Sequence, residues 1–108
     1  MYPDPWKDDP IVDLEIETID SKEKISKFKI LIAKPIEHEG YFYCHTKFKG
    51  LHFSPTPQFG INSLQALCRG ISTIKSELRK YIESHKMILK YNNEIMDLET
   101  FEKFFDIK

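Results

Sequence analysis

The sequence predicts an α+β fold, in which an antiparallel sheet of four to five strands carries one long helix on one face and a short helix ends the chain. In the first half of the chain, apolar residues alternate with polar ones, which is typical of strands with one buried face. Over residues 62–85, apolar residues recur every three or four positions, as in an amphipathic helix. The 108 residues, 41% of them hydrophobic, are enough for a single domain (1–108) with one core.

Residues 1–10 are expected to form an irregular N-terminal arm. Pro3, Pro5 and Pro10 each lack a backbone donor, so this segment cannot continue a helix or a central strand. We expect Trp6 to anchor the arm on the body of the domain. The arm has neither the basic start nor the apolar run of a secretory signal, and no stretch approaches the ~18 apolar residues of a membrane span. A cytoplasmic protein is therefore predicted.

Residues 11–54 are predicted to form a strand meander. The first strand alternates apolar residues with three outward acids, Asp13, Glu15 and Glu17. A polar turn at residues 20–22 leads to a second strand with two outward bases, Lys27 and Lys29. The inward positions of this second strand are Phe28, Ile30 and Ile32. Because opposite charges on facing strands are mildly favourable, the pattern predicts that the two strands are antiparallel neighbours.

A third strand is predicted over residues 41–48, after a turn at residues 37–40. Its inward face carries Phe42, Cys44 and Phe48. Its outward face carries Tyr41, Tyr43, His45 and Lys47. A tight hairpin turn at Lys49-Gly50, where glycine can adopt a positive φ, then leads into a short fourth strand over residues 51–54.

The long helix is predicted over residues 62–85. Asn62 can cap it, and Gln65, three residues on, can bond back to the cap. The glycine at position 70 costs about 1 kcal/mol against alanine in a helix and therefore suggests a close approach to the sheet. The apolar stripe consists of Leu64, Leu67, Cys68, Ile71, Ile74, Leu78, Tyr81 and Ile82.

Residues 86–108 are predicted to close the domain with a short strand and a short helix. The strand runs from Met87 to Tyr91, and Asn92-Asn93 turns the chain. The helix begins near Asp97. Its apolar edge consists of Leu98, Phe101, Phe104 and Phe105.

No catalytic or metal-binding set is evident in the sequence. Cys44 and Cys68 are far apart and are expected to be reduced, buried and inert. Cys44 and His45 are adjacent on a strand and point to opposite faces, so they cannot form a nucleophile–base pair. His45 and His52 are expected on the outward face, but a tetrahedral ligand set is missing. We therefore expect no enzyme, no metal and no cofactor.

The outward face of the strands is instead the candidate binding site. Its aromatic and basic residues, with the arm tryptophan, are typical of protein interfaces. The predicted partner face consists of Tyr41, Tyr43, His45, Lys47, His52 and Trp6. An alternative is nucleic-acid binding, because residues 21–90 carry a net charge of +8 between acidic ends of −6 and −3. A third hypothesis is a small enzyme that uses His45 or His52. In a further interpretation, the arm and the acidic ends simply cover this face.

The stretch Gly60-Ile-Asn-Ser-Leu-Gln-Ala-Leu67 resembles a family of small bacterial proteins of unknown function. That family has a Gly-x-Asp/Asn-Ser-x-Gln-Ala-Leu motif followed by a long helix, and the resemblance extends over residues 11 to about 98. Asn62 stands where Asp is more usual. The resemblance implies the same fold and brings no activity. The overall form is also similar to bacterial immunity proteins, which implies a toxin domain as the partner.

Overall fold

The computed structural model describes residues 3–51, 54–91, 94–96 and 103. Within these residues the chain forms eight strands and one helix, which confirms the α+β class. The elements are β1 (Val12–Ile19), β2 (Ile25–Ile32), β3 (Ile36–His38), β4 (Tyr41–Cys44), β5 (Thr46–Lys49), β6 (Gln58–Gly60), α1 (Ser63–His85), β7 (Ile88–Tyr91) and β8 (Glu94–Met96).

The strands form two antiparallel sheets. The larger sheet has five strands in the order β5-β2-β1-β7-β8, and this number agrees with the predicted four to five. A separate sheet, which the sequence did not predict, has the order β3-β4-β6. The predicted third strand is divided between the two at His45, whose carbonyl oxygen accepts a bond of 3.0 Å from the amide of Ala33. This bond holds the chain where it passes from one sheet to the other.

The hairpin of β1 and β2 has the predicted pairing. Glu15 lies opposite Lys29, and Glu17 lies opposite Lys27. Lys27 Nζ is 3.8 Å from a Glu15 oxygen, and other pairs of the ladder are similar. Because these charges are largely exposed, each pair contributes little stability, but together they favour this register. The turn is closed by the Asp20 carboxylate, which accepts hydrogen bonds from two backbone amides.

The hairpin of β3 and β4 is tighter than predicted. The expected turn over residues 37–40 reduces to two residues, Glu39 and Gly40, because Glu37 and His38 belong to β3. Both turn residues have positive φ, +51° and +86°. A two-residue turn of this kind matches the right-handed twist of the strands, and glycine at its second position avoids the steric cost of that φ.

The predicted fourth strand over residues 51–54 is wrong for the residues described. Leu51 makes only a single bridge to Lys49, and Ser54 has no regular structure. His52 and Phe53 lie outside the described residues. The next strand is β6, which begins after Pro57 and pairs with β4. Proline lacks a ladder donor, which explains why pairing starts only beyond it.

The helix begins and ends as predicted. The Asn62 side chain accepts a 2.8 Å bond from the amide of Gln65, and the Gln65 side chain accepts a 2.9 Å bond from the amide of Ile61. The return bond thus reaches the residue before the cap rather than the cap itself. At the other end, Lys86 adopts the left-handed conformation with φ of +52°, and its amide bonds to Ile82. These bonds satisfy donors and acceptors that a helix end leaves open.

The buried line of the helix is rotated from the predicted stripe. It consists of Ala66, Gly70, Ile74 and Leu78, spaced by four. Leu64 is 69% exposed and Cys68 is also exposed, so their predicted burial is wrong. The reason is the small size of Ala66 and Gly70. A Cβ on Gly70 would lie 2.6 Å from Cys44 Sγ, so the helix backbone approaches β4 along this line.

One core lies between the helix and the inward faces of the sheets. Its buried residues are Ile16, Phe28, Ile30, Ile32, Cys44, Phe48, Ala66, Ile74, Leu78 and Leu89. Residues 3–10 form no strand or helix, as predicted for the arm. The predicted strand at 87–91 is confirmed as β7, and β8 was not predicted. The short C-terminal helix lies outside the described residues.

Candidate protein-binding surface

The outward face of the three-stranded sheet carries four neighbouring rings, those of His38, Tyr41, Tyr43 and Phe59, which form the aromatic surface. The strand register brings them together. Tyr41 lies opposite His38, and Tyr43 lies opposite Phe59. Phe42 and Cys44, at the alternate positions of β4, point to the core. The surface therefore follows directly from the two-residue period of the strand.

The rings of the aromatic surface contact one another. The centres of Tyr41 and Phe59 are 5.8 Å apart with their planes at 87°, an edge-to-face arrangement. Tyr43 lies 6.2 Å from Phe59, and His38 lies 6.4 Å from Tyr43. Edge-to-face and offset contacts of this kind hold aromatic side chains in defined positions. The surface is therefore ordered without a partner.

Much of the aromatic surface is open to solvent. Tyr41 is 47% exposed and Phe59 is 51% exposed. Two large apolar side chains that follow Phe59 in the chain, Ile61 and Leu64, are exposed to about 70%. Exposed apolar groups scattered singly need no explanation, whereas a group of neighbouring ones indicates an interaction site.

Arg69 of α1 completes this surface. Its Nη1 donates a 2.8 Å hydrogen bond to the carbonyl oxygen of Phe59, and its guanidinium carbon lies 5.8 Å from the centre of the Phe59 ring. The arginine thus covers the backbone of β6 and the aromatic surface at the same time. A cation over an aromatic face is mildly favourable at an exposed site.

The described residues of the predicted partner face are distributed over both sheets and the arm. Tyr41 and Tyr43 lie on the aromatic surface, whereas Lys47 belongs to β5 in the other sheet. His45 lies at the junction between the two sheets. His52 lies outside the described residues. The single strand expected over residues 41–48 would have kept these side chains together, and its division separates them.

Trp6 and Lys47 form a second group on the five-stranded sheet. Lys47 Nζ lies 5.6 Å from the centre of the Trp6 ring, and Trp6 is half-buried. The arm therefore contacts the body of the domain through its tryptophan, as expected from the sequence. This contact uses part of the Trp6 ring that the partner-face hypothesis required to be open.

His45 is a half-buried histidine at the junction of the sheets. Its Nδ1 is shielded from solvent, and burial lowers the pKa of His45 from its ordinary value of 6.5. The neutral imidazole is the form that the fold favours, because burial penalises charge. This environment is suited to a structural histidine.

Folding stability is expected to fall as the pH drops below about 6.5, because unfolded chains then bind a proton at His45 that the folded state resists. Urea unfolding at pH 7.5 and at pH 5.5 measures the fall. In His45→Gln the fall should be smaller than in the wild type. Ser76→Gln, at an exposed helix position with no titratable group, serves as the control and should keep the wild-type pH dependence. Equal pH dependence in all three proteins would contradict the assignment.

The two cysteines differ in their surroundings. Cys44 is fully buried against the helix, as predicted, and burial raises its pKa to about 11. A thiol with such a pKa is protonated at neutral pH and is a poor nucleophile. Cys68 is exposed, and both thiols are free.

One depression beside the helix can be described by its lining residues. A depression of about 230 Å³ beside the helix is lined by Ser54, Pro55, Thr56, Gln58, Thr73 and Glu77. This lining contains three hydroxyl groups and one carboxylate. It contains no cysteine nucleophile and no histidine that could act as a general base. Among the described residues, no three His, Cys, Asp or Glu side chains are grouped so that they could hold a metal ion.

His38, Phe59 and Arg69 are the members of the aromatic surface that sequence reasoning missed. Phe59 stands between Pro57 and Gly60, where a strand is hard to predict because both neighbours are unfavourable in strands. The alternation of Phe59 and Ile61 around the buried Gly60 was the available signal. Arg69 gave none, since its role depends on a contact ten residues away in sequence.

Comparison with known proteins gives no relative for this chain. No protein-family model matches it, and neither a curated protein nor a solved structure is significantly similar. Of the residues described, none belongs to a helix with the length and apolar character needed to cross a membrane. The aromatic surface is therefore the feature of this chain that bears most directly on its function.

Proposed function

We propose that this chain is a non-enzymatic protein-binding module that contacts its partner through the aromatic surface. The observation that carries the proposal is the exposure of Tyr41 and Phe59 in mutual contact, with Arg69 fixed beside them. Tyrosine and arginine are enriched among the residues that dominate binding energy in protein interfaces. Because the rings already hold one another in place, binding would order few side chains, which lowers its entropic cost.

We further propose that the partner is a toxin domain and that the chain acts as its immunity-type inhibitor in the cytoplasm. The support is an analogy with bacterial immunity proteins that rests on the small size of the chain, its α+β layout and its lack of catalytic motifs. The exposed free thiol of Cys68 fits a reducing compartment. An inhibitor of this kind needs a rigid contact surface and no catalytic group, and the aromatic surface supplies the first.

The experiment uses the product of the gene directly upstream as the candidate toxin. We expect its expression to arrest growth and co-expression of this chain to restore it. Calorimetry with the two purified proteins should give a stoichiometric complex. Failure to bind a toxic product would contradict the immunity-type role. Turnover of a small molecule, with no stoichiometric protein partner, would contradict the binding module itself.

The double replacement Tyr41→Ala/Phe59→Ala is expected to weaken that complex at least tenfold, about 1.4 kcal/mol. The control is Ile25→Ala, which shortens a 60% exposed apolar side chain on the other sheet. It should leave the affinity unchanged. Thermal unfolding of each variant separates lost binding from lost folding. Equal affinities for the double variant and the wild type would show that the partner binds elsewhere.

The alternative, a nucleic-acid-binding accessory protein, has less support. The outward bases Lys27 and Lys29 lie within 4.0 Å of acids on β1, so their charge is largely compensated. On the helix, Lys80 and Arg79 pair with glutamates in the same way. Nucleic-acid affinity depends on an excess of base that displaces counterions from phosphates.

A further inference from the structure

Arg69 is a preorganised cation on the aromatic surface. The bond to the Phe59 carbonyl and the position over the Phe59 ring fix its guanidinium, although the side chain is exposed. A guanidinium has five N–H donors in a planar fork, and the bond from Nη1 uses one of them. The fork matches the two oxygens of a carboxylate. Binding of a partner to Arg69 would therefore cost little further side-chain conformational entropy.

We infer that the partner segment covering the aromatic surface presents a carboxylate to Arg69, flanked by apolar side chains that cover Tyr41 and Phe59. This inference rests on the proposed function and adds the chemistry of the partner. Charge complementarity selects an acidic group, because the guanidinium held beside Phe59 is a cation. The apolar flanks follow from the exposure of Tyr41 and Phe59, whose rings a purely polar segment would leave in water.

A carboxylate fits this surface better than a nucleic-acid phosphate and base. The guanidinium of Arg69 lies over the ring of Phe59, so a stacking base would have to compete with it for that face. A nucleic-acid backbone also needs a row of cations along its path. The described ion pairs occupy bases of β2, in the other sheet, and of the helix.

The test uses short random peptides displayed on phage and selected on the immobilised full-length chain. Enriched peptides are synthesised, and their affinities are measured by fluorescence polarisation. The protein variants are Arg69→Gln, Arg69→Lys and Phe59→Ala. The matched control is Arg79→Gln, an exposed arginine of the same helix that pairs with Glu83. Thermal unfolding of every variant checks that the fold is kept.

We expect enriched peptides to carry Asp or Glu beside aromatic or aliphatic residues. Arg69→Gln should weaken their binding about tenfold, because a charge-assisted pair is lost. Arg69→Lys should restore only part of the affinity, since it keeps the charge and loses the fork. Arg79→Gln should bind as the wild type does. Replacing the peptide carboxylate by its amide should match the loss seen in Arg69→Gln.

Peptides without an acidic residue, or with equal affinity for wild type and Arg69→Gln, would overturn the inference. If Phe59→Ala still weakens the binding of those peptides, the proposed function is supported and the inference of a partner carboxylate is wrong. If neither Arg69→Gln nor Phe59→Ala changes the affinity, or if no peptide is enriched, the proposed function and the inference are both wrong. Binding of a fluorescent single-stranded DNA that is lost in Arg69→Gln and falls steeply with salt would also overturn it, in favour of the nucleic-acid alternative.

Discussion

Leu78→Ala is expected to lower the free energy of unfolding by about 3 kcal/mol, because large-to-small replacements in a packed core lose both buried apolar surface and packing. Leu78 has no exposed surface and belongs to the core between the helix and the sheets. Urea unfolding followed by circular dichroism measures the change. A loss of this size is a large part of the stability of a small domain.

The control for Leu78→Ala is the same replacement at Leu64, one residue from the start of the same helix. Leu64 is 69% exposed, so its removal should change the free energy of unfolding by less than about 0.5 kcal/mol. The pair also tests the rotation of the buried line. Similar losses at the two leucines would contradict the observed helix orientation and favour the stripe predicted from sequence.

Gly70→Ala is expected to destabilise the fold by about 2 kcal/mol, although alanine is normally the better helix former. The added Cβ would lie 2.6 Å from Cys44 Sγ and 3.2 Å from Cys44 Cβ. Gly70 and Cys44 are both buried, so the helix must move away from β4 to relieve the contact. Chemical denaturation of the single variant gives the size of this effect.

Cys44→Ala provides the matched test of that cause. In the Cys44→Ala background, Gly70→Ala should lose more than half of its cost, because the sulfur that the new methyl group meets is gone. Ser76→Ala, at an exposed position of the same helix, should be neutral or slightly stabilising. A stabilising Gly70→Ala would contradict the close approach of the helix to β4 at this position.

Local patterns predict much of this fold. The alternation in β1 and β2 has period two, and the charges on their outward faces fix which strands are neighbours. The helix start is predictable because Asn62 and Gln65 satisfy backbone groups within a few residues of themselves. Contacts of this kind depend on short stretches of chain, so they are visible in the sequence.

Other features depend on distant contacts and could not be predicted. The division of the third strand at His45 depends on which partner each half finds, β6 for one and β2 for the other. The helix rotation depends on how closely Gly70 can approach Cys44. The sequence contains both residues but not their distance.

The residues of the candidate site also differ in whether local sequence or distant contacts determine their position. Tyr41 and Tyr43 follow from the two-residue period of a single strand, so their outward direction was predictable. Phe59 and Arg69 join them only through the pairing of β6 with β4 and the packing of α1 beside it. The sequence therefore predicts the tyrosines of this surface but not the residues that β6 and α1 add to it.

The strand order of the larger sheet has a consequence for how the chain reaches its native state during synthesis. Thr18 in β1 pairs with Leu89 in β7, 71 positions later. The edge of β1 that pairs with β7 therefore remains unpaired until most of the chain has left the ribosome. Long-range pairing of this kind slows folding and leaves a strand edge open to other chains in the meantime. Truncation before β7 should accordingly yield a product that aggregates.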